Sequence, residues 1–236
     1  MSNGTGGGSL RRFYIVFAVV AAVGLGAVGY SIGSRALGGA VSEPIDLEGT
    51  DDMRRLTEMA VPVTIGDENA PVTIVIFEDY LCNHCAVFSL SIKSEVEEAF
   101  VRTGKARLVY YDFPLNPQFG SFLAARAARC SGDQGQFWEF HNLLMRNQRT
   151  WGMVENKLPT FENYAEDLGL DVGEFKGCLN SDRHAQEVTA NLELAQMLGL
   201  GGTPAVLVGT GGGMSRRLED YSFQTIKATL DSILGG

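Results

Sequence analysis

Two cysteines separated by two residues are the part of this sequence best suited to chemistry. Cys82 and Cys85 enclose Asn83 and His84. At the start of a helix, such a pair places the first thiol beside unpaired backbone N–H groups, where the helix dipole stabilises a thiolate. The second thiol lies one turn further along and within disulfide reach of the first. The spacing therefore indicates a reversible redox pair, with Cys82 as the nucleophile and Cys85 as its partner.

His84 is a candidate for a supporting catalytic role. A partly cationic ring would favour the Cys82 thiolate and make the disulfide a stronger oxidant. The alternative is an exposed helix residue without a role.

The cysteine pair has alternatives of its own, namely half of a zinc site or an inert structural disulfide. A zinc site would need two further ligands from Cys130, Cys178, His84, His141 or His184. No second Cys-x-x-Cys and no His-x3-His is present to supply them. We therefore predict no metal site and no cofactor.

The elements around the motif are typical of an α/β domain. Residues 72–77 form a β-branched and aromatic run, as expected of a strand buried on both faces, and lead into the motif. After Cys85, apolar residues recur at helical spacing until Gly104. The remaining pattern predicts a strand at 107–111, helices around 124–130, 137–145, 161–168 and 183–198, strands at 204–209 and near 214–218, and a last helix capped by Ser222.

The N-terminus predicts a membrane anchor. Residues 13–32 form an apolar run without a charge, close to the roughly 20 residues that a bilayer-spanning helix needs. Arg11 and Arg12 precede it, so the positive-inside rule predicts a short cytoplasmic tail at 1–12 and an extracytoplasmic position for all that follows. The alternative is a cleaved signal peptide, with a mature protein that starts near Val41. Both interpretations place the domain in an oxidising compartment.

The composition agrees with one globular domain plus an appendage. The 236 residues are 45% hydrophobic and 20% charged. The net charge of -9 argues against a nucleic-acid partner, because phosphate binding requires clustered Lys and Arg. Acidic residues concentrate within 33–60, which predicts a solvated linker.

Three motifs, taken in order, resemble the DsbA-like branch of the thioredoxin superfamily. They are FEDYLCNHC at 77–85, QGQFWEFH at 134–141 and GTP at 202–204. The resemblance implies a thioredoxin fold over 61–236 with a helical insertion at about 118–198. It also implies that Cys82 is exposed, that Cys85 is buried, and that Thr203 and a cis Pro204 bind substrate beside the disulfide. His141 and His184 are interpreted as structural or exposed.

Departures from the family pattern leave the direction of electron flow open. Many thioredoxin-fold enzymes carry a buried acid six residues before the first cysteine, where this chain has Ile76. That role is unfilled, or it passes to Glu78 or Asp79. Asn83 stands where strongly oxidising members typically have proline, and a threonine before the cis proline occurs in oxidising and reducing members.

The other two cysteines, Cys130 and Cys178, lie 48 residues apart in the predicted insertion. An exported domain rarely leaves two such thiols free, so we predict a structural disulfide. A second redox pair or two buried free thiols are the alternatives.

These inferences favour a membrane-anchored, extracytoplasmic thiol:disulfide oxidoreductase that acts as a dithiol oxidase on exported cysteine-containing proteins. The family resemblance implies re-oxidation by a quinone-linked membrane redox partner. A thiol reductase, for example in cytochrome maturation, is one alternative. A non-enzymatic thioredoxin-fold binding module is the other.

Overall fold

A five-stranded sheet forms the centre of the computed structural model, which describes residues 39–210 and 215–235. The strands are β1 (Val63–Ile65), β2 (Val72–Glu78), β3 (Ala106–Asp112), β4 (Ala205–Thr210) and β5 (Arg216–Arg217). Their order across the sheet is β1-β3-β2-β4-β5. β2 and β3 are parallel, whereas β1 with β3, β2 with β4 and β4 with β5 are antiparallel. The strands predicted at 72–77, 107–111 and 204–209 are thus confirmed, and β1 is an addition.

The central strand β2 is fully buried on one face, whereas on the other face Thr73 and Val75 are only partly buried, so the prediction of burial on both faces holds in part. Val72, Ile74 and Ile76 belong to the larger hydrophobic cluster on one side of the sheet. Phe77 belongs to a smaller cluster on the other side. This division follows from the alternation of side chains along a strand.

The helix α2 (83–101) begins directly at the cysteine motif. Cys82 is its N-cap residue, with extended backbone (φ −82°, ψ 118°) and no hydrogen bond from the side chain to the cap. The helix runs through four segments, of which the second and fourth have wider, π-helical turns: Asn83–Val87, Phe88–Ile92, Lys93–Val96 and Glu97–Val101. It ends before Gly104, whose φ of +70° suits a residue without a side chain. The predicted helix and its stop are confirmed.

A block of helices lies between β3 and β4, in the region predicted as the insertion. The helices are α3 (Ser121–Gly132), α4 (Phe137–Arg146), α5 (Gln148–Gly152), α6 (Leu158–Asp167), α7 (Val172–Leu179) and α8 (Ala185–Met197). The sequence pattern does not indicate α5 and α7, because such short helices repeat the helical period too few times. The last helix, α9 (Phe223–Leu234), begins as predicted, with Ser222 accepting a hydrogen bond from the Thr225 backbone N–H at 3.3 Å.

A disulfide between Cys130 and Cys178 joins α3 to α7. The two Cα atoms are 5.8 Å apart, a usual separation for a disulfide. Each residue is 1% exposed. Of the three possibilities that the sequence leaves open, the structure contains the bonded pair.

Arg126 of α3 is fully buried beside this disulfide. In the described part of the chain, its guanidinium donates hydrogen bonds to backbone carbonyl oxygens alone. The distances lie between 2.6 and 3.4 Å, and the acceptors belong to Val41, Cys178, Leu179, Ser181 and Arg183. Burial lowers the pKa of Arg126 to about 10, which still leaves it charged at neutral pH. The cation thereby binds the C-terminal end of α7, where the helix dipole is negative.

The linker prediction for 33–60 is wrong for its second half, which packs on the domain. Helix α1 (Met53–Met59) lies there, and its Leu56 is fully buried in the cluster that contains Leu194 of α8. Asp52 caps α1 by accepting from the Arg54 backbone N–H at 2.9 Å. The segment forms a packed helix because Met53, Leu56 and Met59 recur at helical spacing and because Asp52, one of its acids, caps the helix.

Within the described ranges, no helix combines the length and the apolar character needed to cross a bilayer. The span predicted at 13–32 and the tail predicted at 1–12 lie outside those ranges.

Candidate functional site

Cys82 lies half-buried at the N-terminus of α2. Its backbone N–H donates to the Asp79 carbonyl at 3.0 Å, and its own carbonyl accepts from the Ala86 N–H at 3.2 Å. The Cys82 thiol lies 3.3 Å from the carbonyl oxygen of Thr203, to which it can donate. Cys85, one turn further, is fully buried. One thiol therefore faces the surface and the other faces the core.

The pKa values of the two thiols are moved in opposite directions. The pKa of Cys82 is lowered to about 5, chiefly by a hydrogen bond from the Cys85 side chain, although burial opposes this change. The Thr203 side chain and the backbone N–H groups of Cys85 and His84 lower it further, whereas the Thr203 carbonyl can only accept and so favours the thiol. The pKa of Cys85 is raised far above its usual range, because the thiol is buried and donates to Cys82. At neutral pH, Cys82 is thus the thiolate of the pair.

The Thr203–Pro204 peptide bond is cis. Pro204 is buried directly before β4, and β4 pairs with β2, the strand that leads to the motif. This pairing is what brings the Thr203 carbonyl to the Cys82 sulfur. The structure thus brings Cys82, Cys85 and Thr203–Pro204 together from positions far apart in the sequence.

The ring of His84 is exposed and has no hydrogen-bond or ion-pair partner among the residues that the structure describes. Its backbone N–H, rather than its ring, is the group that lowers the pKa of Cys82. A catalytic role for the imidazole remains a prediction.

Asp79 is one of the two acids that could take the role of the buried acid that Ile76 replaces. Both oxygens of its carboxylate accept hydrogen bonds from the backbone. One carboxylate oxygen accepts from the Leu81 N–H and the other from the Leu115 N–H, each at 2.7 Å. Asp79 therefore fixes the turn that precedes Cys82. Ile76 itself is buried in the core.

Glu78 is the other acid, and it is bound quite differently. The residue is 1% exposed, and its Oε2 accepts from the Ser89 hydroxyl at 2.7 Å. Its Oε1 is buried without a hydrogen-bond partner among the described residues. Burial raises the pKa of Glu78 to about 8, although the hydrogen bond from Ser89 and the charge of Lys93 oppose this change.

His141 is fully buried next to this carboxylate. Its Nε2 lies 3.1 Å from Ser89 Oγ, and its Nδ1 lies 2.9 Å from the Tyr80 hydroxyl. Burial holds the pKa of His141 well below its usual range, so the ring is neutral. The prediction of a structural or exposed His141 is therefore incomplete. The side chain belongs to a polar network beneath the motif, which consists of Glu78, Ser89, His141 and Tyr80.

A family model described as thioredoxin matches residues 58–231. This match takes in the sheet, the cysteine motif and the helical block. The chain belongs to the thioredoxin family.

Several relatives in sequence carry disulfide-related names. A putative protein-disulfide oxidoreductase of Rickettsia prowazekii is 28% identical over 73% of this chain and 61% of that protein. A probable disulfide bond formation protein D of Bacillus cereus is 25% identical over 95% of this chain and 97% of that protein. The chain spans about three fifths of the length of the Rickettsia relative.

The fold of this thioredoxin-family chain is also that of DsbA proteins. The crystal structure of alpha-DsbA1 from Wolbachia pipientis superposes with a TM-score of 0.66, covering 76% of this chain and 96% of that one. The sequence identity is 20%, so the likeness concerns the fold alone.

Gln148 is a site residue of this thioredoxin-family chain that sequence reasoning missed. Its side-chain amide donates to the Cys82 carbonyl at 2.9 Å, from the first residue of the unpredicted helix α5. Ser89 was missed as well, although its position one turn after Cys85 places it on the buried side of α2. No sequence signal pointed to Gln148, because its contact joins segments 66 residues apart.

Three of the residues that could complete a zinc site, Cys130, Cys178 and His184, are engaged elsewhere. Cys130 and Cys178 are bonded to each other. His184 lies beside them at the start of α8 and pairs with Asp133 and Glu187 at 3.0 and 2.7 Å. The cysteine motif thus stands apart from these groups.

Proposed function

We propose that this protein is a membrane-anchored, extracytoplasmic thiol:disulfide oxidoreductase that acts as a dithiol oxidase on exported cysteine-containing proteins. The names of the Rickettsia and Bacillus relatives support the reaction class. The observation that carries the proposal is the contrast between the two thiols of one pair, with the pKa of Cys82 lowered to about 5 and that of Cys85 raised.

The contrast assigns the roles in disulfide exchange. A client thiolate attacks the exposed sulfur of the oxidised pair, Cys82, and forms a mixed disulfide while Cys85 leaves. A second client thiolate then attacks the client sulfur, the client disulfide forms, and Cys82 leaves as a thiolate. Two electrons pass from the client to the pair. Because Cys82 is a stable thiolate, it is a good leaving group in this second step.

Thr203 and Pro204 form the proposed contact for the client chain. The Thr203 carbonyl lies 3.3 Å from the Cys82 sulfur and precedes a strand. A client segment extended beside this carbonyl would donate a backbone hydrogen bond to it, as in other cases of strand addition.

The lowered pKa of Cys82 favours the oxidase over the reductase. Stabilising the thiolate stabilises the dithiol form and so makes the disulfide a stronger oxidant. Thiol pKa values of about 3.5 in DsbA and about 7 in thioredoxin bracket the value of about 5 in Cys82.

The test is the reduction potential of the Cys82–Cys85 pair, measured against glutathione buffers. We expect a value closer to the roughly −120 mV of DsbA than to the roughly −270 mV of thioredoxin. A potential at the thioredoxin end would favour the reductase. A Cys82→Ser variant that retains full activity in cells would instead favour the binding module.

The anchor is proposed from the apolar run at 13–32 alone. It would hold the domain beside a membrane redox partner that re-oxidises the pair. Membrane fractions washed with carbonate should retain the protein, whereas a soluble mature form starting near Val41 would exclude a retained anchor.

A further inference from the structure

An open groove of about 520 Å³ begins at the cysteine motif and follows the helix α2. One wall is the outer face of α2, where Asn83, Val87 and Leu90 line the groove. The opposite wall is the end of α4 and the start of α5, where Arg146 and Arg149 line it. Neither Thr203 nor Pro204 belongs to these walls, so the groove is a second surface that starts at the same motif.

Gln148 joins the two walls at the end of the groove nearest the motif. Its side-chain amide donates to the Cys82 carbonyl at 2.9 Å, and the residue is only 8% exposed. Arg149 follows Gln148 in the chain, with a Cα–Cα distance of about 3.8 Å. The hydrogen bond to Cys82 therefore also holds the backbone of Arg149 close to the reactive cysteine.

The wall on α2 is apolar and accessible. Val87 is 59% exposed, and Ala86 and Leu90 are partly buried. Leu90 and Ser91 belong to the π-helical segment Phe88–Ile92. Such wide turns are rare and recur at functional sites. This wall can pack against apolar side chains of an extended segment that lies in the groove.

The wall on α4 and α5 is positively charged. Arg146 and Arg149 are exposed, and neither forms an ion pair with another residue of the described ranges. No acidic residue of those ranges lines the groove. The whole chain carries a net charge of -9 and so repels an acidic segment in general. A local pair of cations on such a protein directs an acidic segment to this groove.

We propose that this groove binds an acidic segment of the client protein, next to the client cysteine that reacts with Cys82. Arg146 and Arg149 pair with the carboxylates of the segment, and the apolar wall packs against its other side chains. The proposal rests on the proposed function and names the class of client, namely exported proteins with acidic residues close to a reactive cysteine.

The length of the groove sets how close these acidic residues must be. Its wall on α2 extends from Asn83 to Ser91, a rise of about 12 Å at 1.5 Å per residue. An extended chain covers this distance in about four residues, at roughly 3.3 Å each. The acidic residues therefore lie within about four residues of the client cysteine. Arginine suits this contact because its planar guanidinium can bind both oxygens of one carboxylate.

The test compares three dithiol peptides that carry two aspartates, two asparagines or two lysines within four residues of the first cysteine. Each peptide reduces the oxidised full-length protein, and its rate is divided by its rate with the neutral compound 2-hydroxyethyl disulfide. The division is needed because a nearby carboxylate raises the pKa of the peptide thiol. We expect the aspartate peptide to react about fivefold faster than the asparagine peptide, as two exposed ion pairs allow, and the lysine peptide to react slowest.

Variants locate the origin of this preference. Arg146→Gln/Arg149→Gln should bring the ratio of the aspartate rate to the asparagine rate down to about one, and Arg149→Glu should place the lysine peptide ahead of the aspartate peptide. The ratio cancels any loss that the two peptides share. Arg216→Gln/Arg217→Gln is the matched control, because it removes two exposed arginines from β5 and should preserve the ratio. Sodium chloride at 0.5 M should reduce the ratio by screening.

Equal normalised rates for the three peptides would overturn the proposal and leave the proposed function intact. A preference for aspartate that persists in Arg146→Gln/Arg149→Gln would overturn it as well. If the groove faced an anionic lipid surface instead, the peptides would react alike, and phosphatidylglycerol in vesicles carrying the protein would slow alkylation of Cys82 only while both arginines are present. Failure of every peptide to reduce the oxidised protein would overturn the proposed function itself.

Discussion

The two cysteine pairs of this chain have the same atoms and opposite environments. Cys82 and Cys85 lie at the start of a helix, one half-buried and one buried, and are free thiols. Cys130 and Cys178 lie inside the helical block, both 1% exposed, and are bonded. The first pair has backbone N–H groups and a neighbouring loop directed at one sulfur. The second is surrounded by packed helices.

The difference shows that the surroundings of the sulfur atoms, and not the cysteines themselves, make one pair reactive and the other structural. A sulfur that a client can reach, at a helix end that stabilises its thiolate, can be attacked and can leave. A bonded pair enclosed by side chains presents no sulfur to a client thiolate. Its contribution is to restrict the unfolded chain.

The largest effect should come from removing the reactive sulfur. Cys82→Ser should reduce disulfide exchange with a client peptide to the uncatalysed level, because no other described thiol is both free and exposed. The double variant Cys130→Ala/Cys178→Ala should retain the exchange rate at low temperature. Equal loss of activity in the two variants would remove the functional distinction between the pairs.

A smaller effect on a different property should come from the bonded pair. Cys130→Ala/Cys178→Ala should lower the free energy of unfolding by about 4 kcal/mol, the value that the chain-entropy model gives for a loop of this length. Denaturant titration of the oxidised proteins measures the change. Cys82→Ser is the control, and an unfolding midpoint shared by the double variant and the unaltered chain would contradict the structural assignment.

The smallest effect should be the pH dependence of alkylation. Between pH 5 and 8, the rate at which iodoacetamide modifies reduced Cys82 should change by only about twofold, because its pKa of about 5 leaves most of it as thiolate. The same protein in urea should show an increase of about tenfold per pH unit. A folded-state midpoint near the ordinary thiol pKa of about 8.5 would refute the lowered value.

The same pKa has a consequence for stability. Since the folded-state pKa of Cys82 lies below its unfolded value, the reduced protein gains stability that is complete above the unfolded pKa. This stability decreases as the pH falls and is lost below about 5.

The sequence was sufficient for the elements with strong local signals. The strand β2 is a continuous apolar run, and the helix α2 repeats apolar residues at helical spacing after Cys85. The linker prediction for 33–60 is wrong in its second half because acids dominate the composition of the segment. Leu56 is a single buried anchor there, and its burial depends on α8, more than a hundred residues away.

The polar network beneath the motif marks the limit of local reasoning. From the sequence alone, Glu78 and Asp79 are equivalent candidates for the buried acid, because two adjacent acidic residues cannot be distinguished by residue type or spacing. They differ in what other elements bring to them, which is backbone N–H groups for Asp79 and Ser89 for Glu78. His141 sits in an aromatic helix whose spacing predicts core, and only the packing of α4 against α2 reveals its polar partners.

Arg126 can also be regarded as an ion whose hydration shell has been replaced by the peptide backbone. Five residues supply the oxygen atoms that water would otherwise supply, and the geometry of a planar guanidinium selects their arrangement. A lysine at this position would present a single nitrogen to the same oxygens and would leave several of them unsolvated. Natural variation at residue 126 should therefore reveal itself as a change in the yield of folded protein, while the chemistry of the surface cysteine stays the same.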